Sequence, residues 1–344
     1  MIEMGVNLRP LIRVTKKIKF EHLTGKRITI DANNTLYQFL ALIRMPNGKP
    51  FTDPEGNITS HLIGLFYRTT KLISDYGVLP IFIFDGKPPR FKQKELEERK
   101  IIRTKLKQEY IEAIRRGDLR TAWSKAVRMD SLSRRMIDDA KRLLTLMGVP
   151  IIQAPSEGEA QAAYMVMVND AWACSTQDYD VLLFGAPRIV RNLTFTGKRF
   201  YRSKGIAVPL KPELIILDDL LNDLKITRKQ LIEIAFLIGT DYNEGIKGIG
   251  PKKAYELIKK YGDIEALPTK YKMKLDENYD KIISFFANPP VTKDYKISFR
   301  NIDEEGLIEF LCDEKGFDEE RVKDTIKRLK KGLMRGIQTS LADF

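Results

Sequence analysis

Residues 154–164 read APSEGEAQAAY, with Glu157 and Glu159 opening a small-residue helix directly after the apolar run Val149–Gln153. Two kinds of chemistry suit this pair. One is structural: Ser156 makes a good N-cap, Glu159 three residues on completes a capping box, and first-turn carboxylates favour the helix dipole. The other is metal binding, and the rest of the chain supports it. The run RITID ends in Asp31, LPIFIF is followed by Asp85, and AWACST leads into Asp178 and Asp180. Asp241 follows another apolar stretch, where it either ends a helix or joins the set. Gathered together, Asp31, Asp85, Glu157, Glu159, Asp178, Asp180 and Asp241 would resist joint ionisation without a cation. Hard carboxylate oxygens suit Mg²⁺. Two such ions roughly 4 Å apart can activate a water and stabilise the leaving oxygen of an in-line phosphodiester displacement. No His, Ser or Cys nucleophile is needed.

Positioning these groups requires a sheet. The first half alternates strand-like runs at 27–31, 79–84, 149–154 and 171–176 with helical stretches. That order predicts an α/β fold with a central, mainly parallel sheet flanked by helices. Ligands in such folds gather at the carboxyl ends of the strands, where the acidic residues fall. Residues 90–118 form a long charged excursion with a thin apolar stripe of Leu96, Ile102, Leu106 and Tyr110. It is either a solvated helix face or a helical element carrying basic groups to phosphates. Residues 227–262 read as helix, Gly-rich turn, helix. Lys247, Gly248, Gly250, Lys252 and Lys253 supply N–H groups and ammoniums for a DNA phosphate. No P-loop pattern occurs.

A formal net charge of +13 over 344 residues favours phosphate-rich partners. Cys174 and Cys312 are the only cysteines and His22 and His61 the only histidines, which excludes a zinc site of the usual type and suits a reducing compartment. No stretch is long and apolar enough to span a membrane. The N-terminus has no secretory signal pattern. The expected location is intracellular, in the cytoplasm or nucleoid of a prokaryote or the nucleus of a eukaryote.

The segments ITIDANNTLYQFL, GNITSHLIGLFYRT, PIFIFDGKPP, APSEGEAQAAY, STQDYDVLLFG and GTDYNEGIKGIGPKKAYELI together resemble the flap endonucleases of the XPG family. The resemblance runs from about Met4 to the final residues. It implies a PIN-like nuclease that incises 5′ flaps on branched DNA, with two Mg²⁺ ions held directly or through water by the seven carboxylates. Lys92 and Arg99 match the family's basic pair at the scissile phosphate, and Tyr37 an aromatic packed beside the cut. Residues 90–130 match a helical arch that threads the 5′ strand. Residues 228–262 match a helix–hairpin–helix unit that grips duplex DNA and holds K⁺ through backbone carbonyls. The loop before GNITSHL matches a wedge that splits the duplex.

The resemblance divides the chain into a nuclease core over 1–262, a mostly helical part over 263–335 and a flexible clamp-binding tail over 336–344. Gln338, Leu341 and Phe344 match anchors for a PCNA-type sliding clamp, although family boxes usually end in two adjacent aromatics. A family glycine near the active site matches Gly5, so either translation begins at Met4, the favoured expectation, or three extra residues crowd the site. The chain is expected to be monomeric. The competing readings are a non-catalytic junction binder and a related junction or bubble nuclease.

Overall fold

The computed structural model describes residues 5–45, 48–92, 132–193, 198–201, 206–209 and 211–342, with scattered positions between 97 and 125. Among these the chain runs β1 (Lys16–Lys17), β2 (Arg27–Asp31), α1 (Ala32–Leu42), α2 (Ser60–Tyr76), β3 (Leu79–Phe84), α3 (Arg134–Leu146), β4 (Ile151–Gln153), α4 (Gly158–Met167), β5 (Ala173–Ser175), α5 (Asp180–Leu183) and β6 (Arg188–Arg191). A two-stranded ribbon of β7 (Lys198–Tyr201) and β8 (Ile206–Pro209) follows. Then come β9 (Glu213–Ile216), α6 (Leu217–Leu224), α7 (Arg228–Ile238), α8 (Pro251–Tyr261), α9 (Thr269–Lys272), α10 (Tyr279–Ala287), α11 (Glu304–Ile308) and α12 (Glu319–Ala342). They form two compact units that interleave in sequence.

One unit comprises Phe20–Phe84, Leu96–Gln153 and Asp294–Phe344. Its strands β2, β3 and β4 are parallel, in register from Arg27↔Leu79 to Asp31↔Ile83 and from Phe82↔Ile151 to Phe84↔Gln153. Every residue of β3 is buried, which is why LPIFIF is apolar without alternation. Helix α2 lays its apolar stripe (Leu62, Leu65, Phe66, Leu72, Ile73) into this core and ends at Gly77. Helix α12 packs on α2 and continues to Ala342, so residues 336–342 are helical rather than a flexible tail. The reason is packing: Leu329 and Leu333 are buried, and Thr339 lies against the Gly25 turn.

The other unit comprises Met1–Lys19, Asp85–Glu95 and Ala154–Lys293. Here β5 and β6 are parallel, with Ser175 opposite Val190, while β9 runs antiparallel to both β6 and β1. Across the chain the strands are therefore of mixed direction, with Asp31 ending one parallel strand and Asp85 directly following another. Helix α4 buries Ala160, Ala162, Ala163, Met165 and Val166. Helix α7 begins with a reciprocal cap between Thr227 and Gln230, and the Gln230 amide also donates to the Gly262 carbonyl at 2.7 Å, tying α7 to the end of α8.

Candidate active site

The head of α4 is built differently from its local sequence pattern. Glu157, not Ser156, is the N-cap, and no side-chain cap bond forms there, so the expected Ser156–Glu159 capping box is absent. The orphan donor is satisfied from elsewhere in the chain. Asp85 accepts the Gly158 N–H at 2.7 Å. The Gly86 and Lys87 N–H groups donate to the carbonyls of Ser156 and Pro155, which fixes Asp85 in place. Glu157 pairs instead with Lys92, whose Nζ lies 2.9 Å from Oε2. Glu159 accepts the Thr176 hydroxyl at 3.1 Å, and the same hydroxyl accepts the Asp178 N–H at 3.1 Å.

Asp180 opens α5 and is buried. The Val6 N–H donates to its Oδ1 at 2.8 Å. Gly5 has φ +84°, and a Cβ there would stand 3.0 Å from both Asp180 carboxyl oxygens, so this position demands glycine. Asp241 does not end a helix. Helix α7 stops at Ile238, and Asp241 lies in the following turn, closed by Thr240 and Asn243, with Oδ2 3.6 Å from Lys92 Nζ.

These charges strain one another. Burial pushes the Asp180 carboxyl up to about 8, and the charges of Asp241 and Asp178 push the same way, against the Val6 N–H and Lys92. Asp85 keeps an exposed edge, yet enough protein surrounds its carboxyl to raise it toward about 6, with Glu157 adding to the effect. Burial works against the charge on Lys92, but Glu157 and Asp241 outweigh it and hold its pKa above the ordinary value. The Lys92 ammonium stands 5.5 Å from the centre of the Tyr242 ring, a cation–π contact. Tyr242 packs edge-on against Phe91 and Phe285, which anchors the Lys92 segment.

Six of the expected carboxylates thus fall in one unit, where Lys92 pairs with Glu157 and Asp241. Among the described residues, no three His, Cys, Asp or Glu side chains converge closely enough to hold a metal ion by themselves. The donor chemistry nevertheless fits Mg²⁺, which keeps several waters and takes only one or two carboxylates directly. Burial, aided by neighbouring carboxylates, raises Asp85 and Asp180, and a divalent cation would offset both effects.

In the other unit Asp31 ends β2 and caps α1, accepting the Asn34 N–H at 2.9 Å, and Tyr37 is half-buried on α1. Lys247, Gly248, Lys252 and Lys253 are exposed around the turn before α8. Gly248 takes φ +83°, Gly250 is the N-cap and Pro251 the first helical residue. Gln338 is exposed on α12. Arg99, Phe344 and Met4 lie outside the described residues, as do most of residues 93–131 and the side chain of Leu341. Sequence reasoning missed Thr176, Tyr242 and the Val6 N–H. Thr176 carried one usable signal, a hydroxyl two residues before Asp178 in a strand-end loop.

Carboxylates at the ends of parallel strands, a half-buried ammonium beside Glu157 and Asp241 and a basic Gly-rich turn between two helices are the features of an α/β nuclease. The XPG N-terminal domain matches residues 4–106 and the XPG I-region residues 148–241. Flap endonuclease 1 of Pyrococcus horikoshii is 52% identical over 342 residues, spanning 99% of this chain and 98% of that protein. Flap endonuclease 1 of Archaeoglobus fulgidus is 48% identical over 327 residues, 95% of this chain and 96% of its own. The structure of flap endonuclease-1 from Methanococcus jannaschii covers 96% of this chain and 99% of its own at 41% identity, with a TM-score of 0.74. The catalytic core of Rad2 in complex with DNA substrate follows at 25% identity, covering 94% of this chain and 97% of its own, with a TM-score of 0.68. The chain belongs to the XPG family and, within it, to the flap endonucleases.

Proposed function

We propose that this protein hydrolyses DNA phosphodiesters at single/double-strand junctions, removing 5′ flaps in replication and repair, with a 5′ exonuclease activity at the same site. The observation that carries this reading is Lys92 seated between Glu157 and Asp241 beside Asp85 and Asp180. A protein that only bound DNA would gain nothing from negative charge concentrated where phosphates must approach.

Asp85, Glu157, Glu159, Asp178, Asp180 and Asp241 would hold two Mg²⁺ ions, and sequence resemblance extends the role to Asp31. When bound, the ions supply a water nucleophile at neutral pH and charge for the leaving oxygen. The chain's own residues do the rest. Thr176 orients Glu159 and the Asp178 backbone, and Val6 orients Asp180. Lys92, held protonated, exchanges its carboxylate partners for a non-bridging oxygen of the scissile phosphate, with Arg99 as its partner in that role and Tyr37 stacking beside the cut. Lys247, Lys252, Lys253 and the N–H groups around Gly248 and Gly250 grip the duplex, and carbonyls of that turn take K⁺. Gln338, Leu341 and Phe344 engage a PCNA-type clamp, and the enzyme acts as a monomer inside the cell. Among the described residues no helix is long and apolar enough to cross a membrane.

The test is Asp178→Ala on a 5′-flap substrate. Retained DNA binding with incision nearly abolished supports the assignment. Full incision by the variant overturns the site. Wild-type binding without any incision makes the protein a junction binder.

A further inference from the structure

Asp178 lies on a turn outside any strand ladder, Asp180 opens the helix that follows it, and the two carboxylates repel each other. Something must hold that turn. Ser175 pairs with Val190 in the parallel β5–β6 register, so Arg191, the last residue of β6, falls beside the start of the turn. Its guanidinium donates from Nη2 to the Gln177 carbonyl at 3.1 Å and from Nη1 to the Tyr179 hydroxyl. It also lies 4.4 Å from the centre of the Tyr179 ring. Gln177 and Tyr179 flank Asp178, and Tyr179 separates it from Asp180. One side chain therefore grips the turn on both sides of a carboxylate assigned to metal.

We propose that Arg191 is a positioning residue whose two-sided grip on Gln177 and Tyr179 sets the divalent-ion affinity of the site. The inference rests on the reading of Asp178 and Asp180 as metal ligands. A planar fork is needed for it: a lysine ammonium keeps the charge but cannot span a carbonyl on one side and a ring hydroxyl on the other. Partners one step removed from a metal typically change its affinity by about 10- to 100-fold when lost.

The experiment measures Mn²⁺ binding to the full chain without DNA, by electron paramagnetic resonance of the free ion. It compares wild type, Arg191→Lys, Tyr179→Phe and Asp178→Asn, with circular dichroism and melting in EDTA alongside. Arg191→Lys should weaken Mn²⁺ by about tenfold and Tyr179→Phe by a smaller factor, both with wild-type dichroism. Incision should fall at limiting Mg²⁺ and recover at high Mg²⁺. Unchanged Mn²⁺ isotherms, even with a lower melting temperature, would make Arg191 a purely structural residue and overturn the proposal. Should Arg191→Lys fail to fold, Tyr179→Phe, which deletes one acceptor and keeps the ring, decides alone. Absence of Asp178-dependent Mn²⁺ binding in the wild type would instead sink the metal reading itself.

Discussion

Lys92 Nζ lies 2.9 Å from Glu157 Oε2, and the same ammonium is 3.6 Å from Asp241. A positive charge wedged between acidic groups does two jobs. It relieves their repulsion, and in the proposed reaction it is the group offered to a phosphate oxygen. Lys92→Ala should therefore slow single-turnover incision on the order of 100-fold, as loss of one preorganised charged donor does. Duplex binding should change little by comparison. Single-turnover kinetics beside a binding titration check this, and equal losses in both would make Lys92 a general DNA contact. In EDTA the variant should also melt lower than wild type, with a larger recovery on adding Mg²⁺.

Gly5 touches Asp180 in a way no other residue can. With φ +84° and 3.0 Å from an added Cβ to both carboxyl oxygens, Gly5→Ala must push Asp180 or break the Val6 bond. We expect about tenfold weaker divalent-ion binding and a matching loss of incision at limiting Mg²⁺. Isothermal titration with Mn²⁺ is the check. Wild-type affinity in this variant would show that Asp180 tolerates displacement.

The raised carboxyls give the metal-free protein an inverted pH profile. Burial lifts Asp180 to about 8 and Asp85 to about 6, both above the ordinary 3.8 that they regain on unfolding. Between these limits the folded chain binds more protons than the unfolded one. Stability is then greatest below the unfolded value and falls as pH rises through the folded values. Melting in EDTA should thus decline from about pH 5 to about pH 8, and Asp180→Asn should flatten the upper part of that decline. Divalent-ion affinity should run the opposite way, rising with pH as the ligands lose their protons. An Asp180→Asn profile identical to wild type would contradict this account.

Much of the site was legible because its signals are local. An apolar run without alternation, LPIFIF, marks a buried parallel strand, and the residue after it is then a site candidate, as Asp85 is. The helix, Gly-rich turn and helix of 227–262 were equally plain, since Thr227, Gly250 and Pro251 mark their own element ends. The head of α4 misled for the same reason. Ser156 and Glu159 satisfy a local capping rule, but Asp85, 73 residues away, takes the Gly158 N–H. No local pattern can announce that. Arg191 was invisible for a related cause: one polar residue at a strand end means little until the β5–β6 register sets it beside Gln177 and Tyr179. The tail failed by the opposite route. Ends generally fray, but the helix runs on through residues 336–342, where Thr339 lies against the Gly25 turn.

The most direct test of the central claim uses a double-flap DNA labelled at its 5′ end, incubated with the full chain and Mg²⁺ and compared with an EDTA control. A short labelled product from cleavage at the flap junction, present with Mg²⁺ and absent with EDTA, is the predicted result. An uncut substrate under conditions where a gel shift confirms binding, or a product unaffected by EDTA, would contradict the account.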